Sequence, residues 1–295
     1  MHHRDRGHRG QRGGLRRPLR HHAGAALRRR TAGQDVAREA ARIERYGGRC
    51  HPFDPPLAIY DEARRLAGEF GGYYLDHFQS AAHAEDWRAG GLAGALVAQV
   101  VQASGGPPDW VVVGAGTGAT SATLGRYLRY HNHPTRLVVI DPENSAYLPG
   151  WATGYHGYST GMPSRIEGIG RPRTEPAFLP NVVDLMLPVP DGASVAVMRH
   201  LATTTGWRAG PSTGTNLWGA LRMAARLRQR GERGTLAALV CDGADAYAGS
   251  YYDDAWVRER KLDPEPYRMV LERFLTRGVW VEPWVGGPGE SLAAR

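Results

Sequence analysis

Lysine is nearly missing from this sequence: Lys261 is the only one, against 36 arginines in 295 residues. Cysteine is almost as scarce. Cys50 and Cys241 are the only two, which excludes a disulfide framework and fits a reducing cytoplasm. No apolar run approaches the roughly 18–20 residues needed to span a bilayer, and the N-terminus carries no apolar signal-peptide core. Acid is missing from one place in particular. Residues 1–30 hold ten arginines and a single acid, Asp5, for a net charge of +9. The other 265 residues hold 27 bases and 28 acids, a net −1. The formal +8 of the chain therefore belongs to a short tail and not to a distributed basic face of the kind that binds nucleic acid.

The tail has no helical or strand periodicity. A basic arm for nucleic acid or anionic lipid is one reading of it. A metal site on His2, His3, His8, His21 and His22 is another, but the tail has a single acid, no cysteine and no ligand spacing. The composition fits a third reading better, because Arg, Gly, His, Pro and Ala are what GC-rich DNA encodes out of frame. Shifting the degenerate codons by one base permits Thr-Ile-Val at the start and Gly-Ser-Gly-Ala-Val-Ser-Glu across the middle. Before residue 30 the same shift permits Tyr-Ala-Thr-Met-Leu-Gly-Leu-Pro-Tyr. The expectation is a one-base insertion or deletion near codon 30, with residues 1–32 unstructured.

Downstream, helix and strand signals alternate. Residues 36–46 read as an amphipathic helix stopped by Gly47 and Gly48, and 49–53 as a short strand. Helices are expected over 57–70, 92–103, 119–130 and 217–229. Three continuous apolar runs, Trp110-Val-Val-Val-Gly, Arg136-Leu-Val-Val-Ile-Asp and Leu236-Ala-Ala-Leu-Val, suit strands buried on both faces of a parallel sheet, with Cys241 as a buried strand residue. The pattern is α/β and doubly wound, a parallel sheet with helices on both faces. His131 and His133, two apart before Pro134, read as a surface turn. Residues 147–158, rich in Tyr and Trp, fit a pocket wall, a dimer face or an irregular loop equally. Asp253-Asp254 reads as a helix N-cap.

The segment 111–130 reads as strand, glycine turn and helix. Glycines let the backbone approach a phosphate, and the helix start offers N–H groups and a positive dipole end. Gly116, Thr117, Gly118, Ala119 and Thr120 are therefore candidate cofactor-binding residues. By spacing alone Gly114-Ala-Gly116-Thr-Gly-Ala119 also matches a dinucleotide fingerprint, with Asp141 placed to hold a ribose. A nicotinamide or flavin oxidoreductase is the alternative on that ground.

Other segments break the tie. Gly116-Thr-Gly-Ala-Thr120 resembles the Gly-Thr-Gly-Gly-Thr phosphate loop of pyridoxal-phosphate (PLP) enzymes of the cysteine synthase type, fold type II. Ser164-Arg-Ile-Glu-Gly-Ile-Gly170 resembles that family's Gly-Ile-Gly stretch, and Gly210-Pro-Ser-Thr-Gly-Thr215 its Gly-x-Ser-x-Gly loop. Cys241-Asp-Gly-Ala-Asp-Ala-Tyr247 resembles its Asp-Ser-Gly-x-Arg-Tyr stretch, with Gly243, Ala244 and Ala246 departing from it. Stretches such as Gly72-Tyr-Tyr-Leu-Asp and Asp141-Pro-Glu-Asn-Ser resemble an actinobacterial branch of cysteine synthase-like proteins and cysteine desulfhydrases. The resemblance implies PLP as cofactor, Ser212 on the pyridine nitrogen, Gly168 and Asp242 lining the site, and no metal. It implies a cytoplasmic, homodimeric enzyme acting on cysteine or an O-acylated serine, with no nucleic acid or membrane as partner. It also implies a Schiff-base lysine. None stands in place here, so no catalytic residue is assigned. Lys261, in Arg258-Glu-Arg-Lys-Leu-Asp-Pro, reads as a solvated helix end. The expected lysine would precede Met1, and the chain as written would be an incomplete, inactive or non-catalytic form. The organisation implied is a tail over 1–32, a small-domain remnant over 33–75, a large PLP-binding domain over 76–275 and a C-terminal tail over 276–295.

Overall fold

The computed structural model describes residues 24–28, 40–41, 43–53, 58–83 and 86–283. The chain divides into two compact units, Met1–Gly72 and Tyr73–Arg295.

In the first unit, β1 (Gly24–Arg28) and β2 (Arg49–Phe53) pair in parallel, Gly24 opposite Arg49 and Arg28 opposite Phe53. The expectation of an unstructured stretch to residue 32 fails over 24–28. The ladder with β2 pairs backbone groups of both strands, and Ala25-Ala-Leu27 is the tail's one apolar run. The rest of residues 1–32 lies outside the described residues. Residues 40–41 and 43–45 are helical and Gly47 follows at φ +79, consistent with a helix stop there. Helix α1 (Ile59–Glu69) buries Glu62, whose carboxylate meets Arg65 Nε at 2.7 Å and His51 Nε2 at 2.9 Å. Arg65 first, then His51, hold its pKa down to about 2.

The second unit is built on a four-stranded, all-parallel sheet in the order β5-β4-β3-β6. Its strands are β3 (Trp110–Gly114), β4 (Arg136–Pro142), β5 (Leu185–Val189) and β6 (Leu236–Ala238). Around it lie α2 (His77–Ser80), α3 (Gly91–Ser104), α4 (Ala119–Tyr130), α5 (Tyr147–Thr153), α6 (Asp191–Thr205), α7 (Pro211–Gln229), α8 (Asp254–Glu259) and α9 (Glu265–Arg277). Side chains alternate across the strands. Val111, Val113, Leu137 and Val139 face Ala93 and Val97 of α3 and Leu124 and Leu128 of α4. Val112, Val138 and Ile140 face Ala193 and Val197 of α6, Trp218 of α7 and Leu271 of α9. Each fully buried valine or leucine contributes about 1.5–3 kcal/mol, which explains why β3 and β4 read as unbroken apolar runs. The doubly wound α/β expectation therefore holds.

Three readings change. Strand β6 is a half-buried sheet edge, not a strand covered on both faces, because no strand lies beyond it among the described residues. It ends at Ala238, so Cys241 lies past it and is exposed. Helix α7 begins at Pro211, six residues before the expected start at Leu217, so the stretch read as a loop over 210–215 is a helix N-terminus. Near the C-terminus, Trp280 packs at a tilt against Trp218, ring centroids 4.7 Å apart, and Glu282 pairs with Arg222 at 2.7 Å. As expected, Asp253 caps α8 by accepting from the Trp256 N–H.

Candidate functional site

Strand β3 ends at Gly114, and four residues carry the chain into α4. Gly118 is the N-cap at φ +89, a left-handed position that favours glycine. The Ala119 N–H donates to Thr117 Oγ1 at 3.1 Å, and Ser121 Oγ donates to Gly118 O at 3.0 Å. The N–H groups of Gly118, Thr120 and Ser121 have no acceptor among the described residues. They sit at the positive end of a 12-residue helix, so the turn is equipped for an anion.

The turn is squeezed from three sides. A Cβ on Gly116 would stand 2.2 Å from Gly168 O, and one on Gly118 would stand 2.5 Å from Phe178 Cα. The Tyr147 hydroxyl donates to Gly116 O at 2.7 Å, and Gly170 N–H to Ala115 O at 2.8 Å. Gly168 and Gly170, at φ +87 and +73, form the second glycine turn.

The third segment is the α7 N-terminus. Gly210 is its N-cap, and Pro211 occupies the first helical position, where no N–H is needed. Ser212 follows, 6% exposed. The Gly210 N–H donates to Asp242 O at 2.9 Å, and a Cβ there would meet Asp242 Oδ1 at 2.2 Å, so glycine lets the Asp242 turn close in. Asp242 also accepts from the buried Tyr247 hydroxyl at 2.5 Å, and burial, then this bond, raises the Tyr247 pKa. Thr213 Oγ1 accepts the Cys241 N–H at 3.0 Å. Asn216, four residues after Ser212, donates to Leu239 O at 2.7 Å, while its buried Oδ1 lacks a protein partner. At Gly114 all three segments converge: a Cβ there would lie 3.0 Å from Ile169 Cγ2 and 3.2 Å from Asn216 Oδ1.

The structure thus gathers residues 116–120, Gly168 and the Ser212 turn, with Asp242 attached through Gly210. It does not bring Asp141 to them as a ribose ligand. Asp141 is 2% exposed and accepts the Leu148 N–H at 2.7 Å, so it starts α5. Burial pushes its pKa up to about 7, against the opposing bonds from Ser145 and Leu148. Lys261 is exposed at φ +53, its N–H closing the end of α8 on Arg258 O at 3.0 Å. Residues 147–158 resolve into α5 and a turn that borders a cavity of about 560 Å³ with Trp151, Tyr155, His156, Glu175 and Phe178 in its wall. Phe178 thus borders both this cavity and Gly118. Among the described residues no group of three or more His, Cys, Asp or Glu could hold a metal. Sequence reasoning missed Phe178 and Asn216, and held Tyr147 only within the aromatic stretch 147–158. Each reaches the turns only through tertiary packing, so no local pattern assigns its contact.

A parallel sheet whose central strand runs into a glycine turn at a helix N-terminus is the architecture of phosphate-binding α/β proteins. More narrowly, the chain belongs to the pyridoxal-phosphate dependent enzyme family, which matches residues 29–242. It is 50% identical over 239 residues to L-cysteine desulfhydrase Cds1 of Mycobacterium tuberculosis, across 81% of this chain and 65% of that protein. To cysteine synthase 2 of Schizosaccharomyces pombe it is 24% identical, across 66% of this chain and 50% of that protein. Its fold is that of the crystal structure of O-ureido-L-serine synthase, with a TM-score of 0.62 at 22% identity over 80% of this chain and 72% of that one. The chain thus spans between half and about two thirds of the curated relatives' length. The dinucleotide reading falls with this family match and with the internal use of Asp141.

Proposed function

We propose that this chain holds pyridoxal 5′-phosphate in the phosphate and ring cradle of the cysteine desulfhydrase and cysteine synthase branch of its family, but without the covalent lysine bond that the resemblance implies for that branch. The observation that carries the reading is the meeting of two helix N-termini and a glycine turn at Gly114. The residues present fit two parts of the group. Residues 116–120 suit the phosphate, and Ser212 suits the pyridine nitrogen, with Gly168 and Asp242 lining the space. They do not fit the aldehyde, because the sole lysine, Lys261, is exposed at a helix end.

When bound, the cofactor supplies an electron sink for a carbanion at an amino acid's Cα. The α4 N-terminus offsets the phosphate charge with backbone N–H groups and its dipole. Ser212 is neutral and stands at the positive end of α7, which disfavours a proton on a nearby ring nitrogen. That weaker sink suits β-elimination and β-replacement over transamination. No lysine amine stands ready to take the Cα proton, so turnover by this chain is negligible. The substrate class is cysteine, which the names of the two relatives carry, or an O-acylated serine, which the family resemblance implies. We attach to this reading a homodimeric, cytoplasmic protein with a small-domain remnant over 33–75 and a PLP-binding domain over 76–275. The family match beginning at residue 29 supports a frame change near codon 30.

Titration of the purified chain with PLP, followed by absorbance, tests the reading. Saturable binding that inorganic phosphate competes away, with no borohydride-stable adduct on Lys261, is expected. Absence of PLP binding, or a stable Lys261 adduct, overturns it. DNA with an uninterrupted frame across codon 30 removes the frame change.

A further inference from the structure

The turn at 168–170 is the wall against which the residue-116 turn is set, and its approach is fixed from behind. Tyr251, 3% exposed, donates its hydroxyl proton to Arg165 O at 2.6 Å and accepts the Glu167 N–H at 3.0 Å. One oxygen thereby ties the backbone on both sides of Ile166, which is 2% exposed and lies in the same apolar cluster as Tyr251. Burial holds the Tyr251 pKa above the ordinary tyrosine value, so the proton stays available to donate. The Arg165 side chain anchors the same stretch: Nε donates to Asp191 Oδ2 at 2.8 Å, Nη1 to Arg260 O at 3.4 Å, and Nη2 to Glu143. One residue beyond Glu167, Gly168 O occupies the space a Cβ on Gly116 would need. A shift of the 165–167 backbone is therefore passed directly to the anion-binding turn.

We propose that Tyr251 is a positioning residue of the cofactor cradle, holding the 165–167 backbone so that Gly168 stays against Gly116; this rests on the cofactor reading above. The ring of Tyr251 packs on Tyr247 and Trp256 at 5.7 and 4.8 Å, so Tyr251→Phe removes the hydroxyl and leaves the packing. It removes both part-buried bonds, from the Glu167 N–H and to Arg165 O.

The test compares three forms of the full chain: wild type, Tyr251→Phe, and Val270→Ala, a cavity in α9 that touches neither glycine turn. Each is titrated with PLP, and the circular dichroism of the bound chromophore is read at saturation. Free PLP is achiral, so this signal reports how firmly the cradle orients it. Tyr251→Phe is expected to raise the PLP dissociation constant roughly tenfold and to lower the induced signal per bound molecule. Val270→Ala is expected to lower the melting midpoint while leaving both readouts at wild-type values. Wild-type affinity and signal in Tyr251→Phe, or the same losses in Val270→Ala, would overturn the proposal alone. A wild-type chain that binds no PLP would overturn the cofactor reading and this proposal together. Should Tyr251→Phe not fold, amide exchange in the wild type decides. Coupling is reciprocal, so PLP saturation must slow exchange of the Glu167 N–H, and an unchanged rate overturns the proposal.

Discussion

Gly118 answers two demands with one residue. Its φ of +89 suits glycine, and its missing side chain makes room for the Phe178 backbone. Gly118→Ala is therefore expected to cost at least about 2 kcal/mol, from left-handed strain and overpacking together. It should also abolish PLP binding, since the backbone that must move is the backbone that offers the N–H groups. Urea denaturation and a PLP titration check the two halves, and an alanine variant with wild-type values in both would refute the geometry. This residue was legible in the sequence because a glycine turn between an apolar strand and a helix has a physical signature. Phe178 was not, since its contact with Gly118 arises only when residues 60 apart in sequence pack together. Asp141 misled for a related reason. Its position at a strand end allowed a ligand role, and only the fold shows its carboxylate turned inward to α5.

Among the elements, the clearest misreading is the start of α7. Gly210, Pro211, Ser212, Thr213 and Gly214 have loop chemistry by propensity, yet tertiary packing makes most of them helical. Gly214 lets α7 approach α6, where a Cβ would meet Ser194 O at 2.1 Å, and Ser194 Oγ bonds Thr215 Oγ1 at 2.7 Å. Strands β3 and β4 were legible because both faces are apolar. Strand β5, Leu185-Met-Leu-Pro-Val, was not, because its apolar run is short and broken by Pro188. The α7 start also fastens the edge of the sheet. Thr213, fully buried, accepts the Cys241 N–H just beyond β6. Thr213→Val keeps the shape and removes that part-buried bond, so a loss of about 0.5–1.5 kcal/mol is expected. A urea midpoint equal to wild type would show that the bond contributes nothing.

At the scale of the molecule, two interior carboxyls govern the response to pH. Asp141 and Asp191 are both pushed up to about 7, burial being the first cause in each. Between about pH 4 and 7 the folded chain therefore holds protons that the unfolded chain has released. Stability is expected to fall as pH rises through that window and to level off above it, by up to about 4 kcal/mol per group. The exposed Asp254 and Glu265, held low by Arg199 and Arg268, act only at lower pH. Urea midpoints at pH 5 and pH 8 measure the slope, and Asp141→Asn with Asp191→Asn should flatten it. A slope unchanged in the double variant would assign it elsewhere. The order of the strands has a kinetic consequence as well. Asp109, which leads into β3, bonds Thr235, which leads into β6, across 126 residues of sequence. That pairing cannot form on the ribosome until most of the chain has emerged, whereas β3 and β4 adjoin early. Long-range parallel pairing folds slowly, so the β3 edge that β6 covers stays open longest during synthesis. During that interval it is the place where one nascent chain can capture another.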